Sequence, residues 1–377
     1  MAERGLSVEL MQAAPIPLAA TLGCAPGEVL ALVGPSGSGK STILRCIAGL
    51  YRARQGRIVC NGVVWYDTAR RVHLRPQQRR VGIVFQHYAL FPHLSAVENV
   101  MEALLDYPAR ERRHRAAALL ARVHLGGLEA RKPAALSGGQ QQRVAVARAL
   151  ARAPEVLLLD EPFTSVDRAT RERLYQELAE LRRDLQMPVV LVTHDLEEAV
   201  MLADRLTILA HGRTLQTGAP VEVMTRPETV EVARLVGLKN MFEATVVSHC
   251  REQQHTRIAW CGRHLVATLQ PRFAPGTAVA WTIPASHVLL HRSPRASHGT
   301  RDNALVGLVA ECLPLGERVA AIIHIDGRAD TWLATTIPLH KARRQALARG
   351  AHVSISLLAE GIHLMPLPER SLSGEHV

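Results

Sequence analysis

Val29-Leu-Ala-Leu-Val-Gly34-Pro35-Ser36-Gly37-Ser38-Gly39-Lys40-Ser41-Thr42 is the stretch on which the fold turns. Val29–Val33 is apolar without interruption, which is what a strand covered on both faces requires. The residues after it follow the spacing G-x-x-x-x-G-K-[ST], with Gly34, Gly39, Lys40 and Ser41 at the fixed positions and a helical pattern beyond. Glycines at such a turn let successive backbone N–H groups point inward at phosphate oxygens, at the positive end of a helix. In that geometry Lys40 reaches the terminal phosphates and Ser41 holds a divalent cation. The plainer reading is a Gly-rich turn without chemistry, and the strand context speaks against it.

Two further apolar runs read as strands of the same sheet. Val156–Leu159 leads into Asp160 and Glu161, and Val189–Val192 leads into Thr193 and His194. A carboxylate at the end of a buried strand beside the phosphate loop can orient a cation through its water shell, which is the part expected of Asp160. Glu161 is placed to polarise an attacking water as general base. An acidic strand cap is the simpler alternative for the pair. The segment Ala169–Leu185 sets Leu174, Leu178, Leu181 and Leu185 on one helical face, a packing stripe. Residues 87–135 read as a helical insertion, broken at Pro108 and at Gly126-Gly127.

Between the insertion and Asp160 lies Leu136-Ser137-Gly138-Gly139-Gln140. Ser137 and Gln140 form an S-x-x-Q capping box at a helix start, and the two glycines permit close approach of a ligand. An uncovered helix N-terminus there is a second anion site. The phosphate loop of the same chain has no need of one, so its natural occupant is the γ-phosphate held by another copy. An ordinary capped helix is the competing reading.

Composition narrows the classes. With 377 residues the chain exceeds one compact domain, and 47% hydrophobic residues supply a core. Aromatic residues at 4% argue against a base-stacking nucleic-acid platform. A formal net charge of +11 favours anionic partners, unless it reflects an Arg-rich proteome. The six cysteines form no C-x-x-C pair and the eighteen histidines no H-E-x-x-H pattern, so neither zinc nor a disulfide framework is expected. The N-terminal residues, with Glu3 and Glu9, lack the signature of a signal peptide. No apolar run reaches the roughly 18 residues that span a bilayer, so any membrane crossing would fall to another chain. After about residue 240, short apolar stretches (Ala244–Val247, Ala278–Ile283, Val319–Ile325, Val353–Leu358) separated by turn residues give an all-β pattern, with the polar residues 291–302 as a linker.

Taken together, these motifs resemble the ABC transporter ATPases along residues 1–240, the Leu-Ser-Gly-Gly-Gln signature before the Asp160-Glu161 pair being the most specific feature. The resemblance implies an α/β P-loop ABC ATPase domain with a helical subdomain, followed by an all-β (OB-like/TOBE) region. Its implied boundaries are 1–238 and 239–377, with a second β unit at about 296–370. It implies ATP and Mg²⁺ as cofactors. Gln86 matches the family's Q-loop glutamine, which touches Mg²⁺ and water. Asp167, in Thr164-Ser165-Val166-Asp167, matches the D-loop, where Ser-Ala-Leu-Asp is more usual. His194 matches the switch histidine at the γ-phosphate. Gly82–Val100 is similar to importer subunits. One departure concerns adenine: the family stacks it on an aromatic residue well before the loop lysine, yet no aromatic precedes Tyr51, leaving Met11 or a neighbour in that place.

The C-terminal region resembles TOBE or molybdate-binding-protein-like domains through Ile283–Leu290, Asn303–Val309, Gly327 and Trp332–Thr336. Arg301 and Asp302 precede Asn303 where the family has an Arg-Asn pair. The combination is most similar to molybdate importer subunits, with sulfate/thiosulfate, iron and polyamine importers as alternatives. It implies a homodimer at the cytoplasmic face of the inner membrane, separate transmembrane permease subunits, indirectly a substrate-binding protein, and no nucleic acid. The β domains either bind the transported oxyanion or merely hold the dimer together. A soluble ABC ATPase of DNA repair or the ribosome would carry coiled coils, zinc modules or two cassettes, and a small-molecule kinase would lack the second anion site.

Overall fold

The computed structural model describes residues 4–164, 185–291, 302–325 and 330–368, together with Arg171, Tyr175, Gln176, Glu180 and Arg182. Asp167, the leucines at 174, 178 and 181, most of the 291–302 linker and Gly327 lie outside the described residues. The chain forms two compact units, Met1–Val221 and Glu222–Val377.

The first unit is built on an eleven-stranded sheet. Its strands run in the order Val72–His73, Val63–Asp67, Gln55–Cys60, Leu6–Gln12, Leu18–Cys24, Arg213–Gly218, Arg205–Ala210, Val29–Val33, Val189–Thr193, Val156–Asp160, Val81–Val84. The last five are mutually parallel. The runs read from sequence as doubly buried strands are so in fact. Leu157, Leu159, Val189 and Leu191 face one core with the helices Ala96–Met101, Ala109–Arg122 and Gly138–Leu150. Val156, Leu158, Val190 and Val192 face another with Ile43, Leu44 and Ile47 of the helix Lys40–Ala48. Successive residues thus alternate between two cores, the period of an extended chain.

The breaks expected in the helical insertion fall where the backbone changes: Pro108 precedes the first turn of Ala109–Arg122, and Gly127 adopts φ +85° beyond its end. The far end of the phosphate-loop helix is fixed by a residue that sequence reading passed over. Arg79 is 3% exposed. Its guanidinium donates to the carbonyls of Cys46 and Ile47 in the last helical turn at 2.7 and 2.8 Å, and to those of Leu74 and Trp65. Burial pushes its pKa down to about 10; the ring of carbonyl dipoles and the Trp65 face, 5.9 Å from the guanidinium carbon, are what hold the charge there.

The second unit contains two antiparallel five-stranded sheets. One has the order Arg263–Thr268, His255–Trp260, Met241–Cys250, Ala278–Thr282, His363–Pro366; the other Val288–His291, His352–Leu358, Asp302–Leu315, Arg318–Ile325, Trp332–Pro338. The sheets do not divide the chain into consecutive halves, because His363–Pro366 returns to the first while Val288–His291 joins the second. Their inner faces share one core, in which Trp260 and Trp281 pack with Leu305, Ile323, Ile355 and Leu357. Asn303 joins the sheets: its amide accepts from Val266 N and donates to the carbonyls of Val266 and Leu357. Among the described residues no helix is long and apolar enough to cross a membrane.

Candidate nucleotide site

The parallel strands deliver their carboxyl ends to one sheet edge, the place where open α/β sheets gather ligands. Val33 pairs with Thr193 and Val192 with Asp160, so Gly34, His194 and Glu161 leave the sheet side by side.

The loop after Val33 closes tightly. Gly37 and Gly39 take φ +80° and +99°, conformations that favour glycine. At Gly34 a Cβ would stand 2.0 Å from the Leu209 carbonyl oxygen, so only glycine fits. Lys40 is buried, and its ammonium donates to the carbonyls of Gly34 and Pro35 at 2.7 and 2.9 Å, tying the loop into a ring. Burial lowers its pKa, while Glu161 and Asp160 raise it.

Ser41 Oγ donates to Asp160 Oδ1 at 3.1 Å, joining the helix start to the neighbouring strand end. Burial raises the Asp160 pKa, against the hydrogen bond from Ser41. Two oxygen donors from loop and strand are the kind of set a hard divalent cation takes alongside phosphate oxygens and waters, so the residues fit Mg²⁺. Glu161 adopts φ +46°, in the left-handed region that a non-glycine residue occupies at a cost of about 1 kcal/mol. Its backbone N–H bonds the Val192 carbonyl, and its Oε2 lies 3.2 Å from both His194 Nδ1 and Thr164 Oγ1. Glu161 and His194, read separately from two strand ends, are therefore in contact.

Gln86 sits exposed in the turn after Val81–Val84, at the edge of the parallel set. That turn is anchored from behind by Arg148, which donates to the carbonyls of Tyr88 and Ala89 at 2.8 Å each. Ser137 caps the helix Gly138–Leu150, with Gln140 N–H donating to Ser137 Oγ at 3.3 Å and Ser137 N–H to Gln140 Oε1 at 3.0 Å. Ser137 is exposed, Gly138 and Gln140 half-buried and Gly139 buried. Asp167 cannot be placed in this arrangement because it lies outside the described residues. Met11 is 60% exposed on the strand Leu6–Gln12.

Three other features went unread, and only the first of them carries a local sequence signature. Ser95-x-x-Glu98 is a second capping box, at the start of Ala96–Met101. Buried Asn99 donates to the carbonyls of Phe91, Leu94 and Ser95 and shapes the turn between Gln86 and that helix. Thr193 and Glu198 form a buried pair beside His194.

A loop that rings its lysine, a serine–aspartate oxygen pair and a glutamate–histidine contact at one sheet edge define a nucleotide-binding cassette. Residues 19–164 match the family model described as ABC transporter. The Fe(3+) ions import ATP-binding protein FbpC 2 of Rhizobium meliloti is 36% identical over 349 residues, covering 90% of this chain and 84% of that protein. The sulfate/thiosulfate import ATP-binding protein CysA of Burkholderia mallei is 46% identical over 226 residues, 58% of this chain and 63% of that protein. The CysA of Xanthomonas campestris pv. campestris is 43% identical over 270 residues, 70% and 75% respectively. The chain thus spans somewhat less than two thirds of the Burkholderia relative. It belongs to the ABC transporter family, among its ATP-binding subunits.

Proposed function

We propose that the chain is the ATP-hydrolysing subunit of an importer and works as a pair of copies. The observation that carries the reading is the Glu161–His194 contact at 3.2 Å beside Lys40, Ser41 and Asp160. Gly34, Pro35, Ser36, Gly37, Ser38, Gly39, Lys40, Ser41 and Thr42 form the phosphate cradle. Lys40 turns its ammonium from the loop carbonyls to the β- and γ-phosphates. Ser41, Asp160 and Gln86 would hold Mg²⁺, which would supply charge neutralisation at the phosphate oxygens. Glu161 accepts a proton from the attacking water, and His194 holds Glu161 and the γ-phosphate in line. Ser137, Gly138, Gly139 and Gln140, with Asp167, serve the nucleotide of the other copy, at a helix start whose dipole favours an anion. Met11 supplies an aliphatic surface for the adenine.

The wider organisation belongs to the same proposal: an ATPase domain at 1–238 with the helical insertion at 87–135, a β region at 239–377, separate permease subunits, and a place at the cytoplasmic membrane face. For the cargo, the similarity to sulfate/thiosulfate import subunits favours that oxyanion class over molybdate, which the C-terminal motifs had suggested. Import of Fe(3+) is a second reading, favoured by the one relative above whose similarity runs through 90% of this chain.

The test is Glu161→Gln in the purified chain. ATP binding is expected to persist and turnover to fall at least about 100-fold. Near-normal turnover would remove Glu161 as the base.

A further inference from the structure

His194 is half-exposed, but the backbone that carries it is held from both sides by one buried hydroxyl. Thr193, 1% exposed, accepts from the Asp195 N–H at 2.9 Å and donates to Glu198 Oε2 at 2.7 Å. The residue before His194 thus grips the amide of the residue after it. Glu198 fixes the hydroxyl's orientation from the next helix, Leu196–Leu202, whose first turn Asp195 caps through the Glu197 and Glu198 N–H groups. Glu198 is itself 4% exposed, and its Oε1 is buried with no hydrogen-bonding partner among the described residues. Burying a carboxyl at this depth carries a cost that simple packing would avoid, since a Leu or Met would fill the space.

We propose that Glu198 is a positioning residue for His194: through the Thr193 hydroxyl it locks the backbone that aims the imidazole at Glu161. The inference rests on the ATPase reading of the site. The groups facing Glu198 are Asp195 on its own helix cap, Glu161 from the strand end, and Arg171 and Tyr175 from the segment that precedes the strand Val189–Thr193. Burial, reinforced by Asp195 and Glu161 against Thr193 and Arg171, pushes the carboxyl up to about 8, so it is protonated and neutral at pH 7. Ionisation above that pH places a further negative charge against Glu161 and Asp195 and pushes Glu161 away from its contact with His194.

ATP turnover of the full chain tests this with Glu198→Ala, Glu198→Gln and Thr193→Val, with nucleotide affinity measured in parallel. Glu198→Ala is expected to lower kcat about tenfold or more with KM for ATP nearly unchanged. Glu198→Gln keeps an acceptor for Thr193 and restores turnover to within about twofold of the parent. The parent's activity declines as pH rises through about 8, and Glu198→Gln lacks that decline. Thr193→Val reproduces the Glu198→Ala loss, and the two losses together do not multiply. Parental kcat in Glu198→Ala, equal damage in Glu198→Gln, or an unchanged alkaline decline in Glu198→Gln would each overturn the proposal. Should Glu198→Ala fail to fold, Thr193→Val carries the decision: parental kcat overturns the clamp and a selective kcat loss supports it. Glu161→Gln in the same assay separates failure of the ATPase reading from failure of this one.

Discussion

Replacing Arg79 by Met removes the clamp on the far end of the phosphate-loop helix. Four carbonyls receive its hydrogen bonds, but two of them have other donors: Gly49 N–H bonds Cys46, and Leu74 N–H bonds Trp65. Ile47 and Leu74 receive only Arg79 among the hydrogen bonds described above. Leaving the buried Ile47 carbonyl and the part-buried Leu74 carbonyl unpaired costs about 1–3 kcal/mol each, and releasing a buried charge returns part of that. A net loss of about 3 kcal/mol from the first unit follows. Urea unfolding measures it, with the relevant transition identified by its displacement on adding ATP. Arg79→Lys is expected to recover little, because an ammonium cannot reach carbonyls on both sides of a planar fork. A loss below about 1 kcal/mol, or full recovery by lysine, would refute the assignment of the helix end to this side chain.

Gly34→Ala forces a Cβ to within 2.0 Å of the Leu209 carbonyl, so the loop must shift; turnover is expected to fall about 100-fold, read by steady-state ATPase assay, with the fold intact by circular dichroism. His363 offers a pH test in the second unit. Its Nε2–H donates to the Pro227 carbonyl at 2.9 Å, and burial pushes its pKa down to about 4. The folded state therefore keeps the ring neutral where the unfolded chain would protonate it, and stability falls as pH drops from about 6.5 toward 4. Between pH 7.5 and 5 the loss is about 2 kcal/mol, visible in denaturant titrations of the parent and absent in His363→Asn.

How much of this was legible follows from the kind of signal involved. The strand ends that bear Gly34, Asp160, Glu161 and His194 could be read because central parallel strands are apolar on both faces and announce themselves as unbroken runs. The Ser137–Gln140 box could be read because capping is local, within four residues. Arg79 and Glu198 could not, because charged residues are surface residues by type and only tertiary contacts show them buried. The pairing of Ala278–Thr282 with His363–Pro366 was invisible for a related reason: antiparallel partners far apart in sequence leave no mark on either strand. The motifs that pointed toward molybdate lie in the β region, whereas the similarity to relatives points toward sulfate/thiosulfate or Fe(3+) import.

That last pairing also sets a timetable for synthesis. Ala278–Thr282 leaves the ribosome about eighty residues before the strand that completes its sheet edge, a delay of several seconds at ordinary elongation rates. During that interval the strand shows one row of unpaired amides and carbonyls, the arrangement that invites pairing with a neighbouring nascent chain. Polysomes translating this message thus hold the β region in an adhesive state until residues 363–366 emerge, and slow codons after residue 282 would lengthen the exposure.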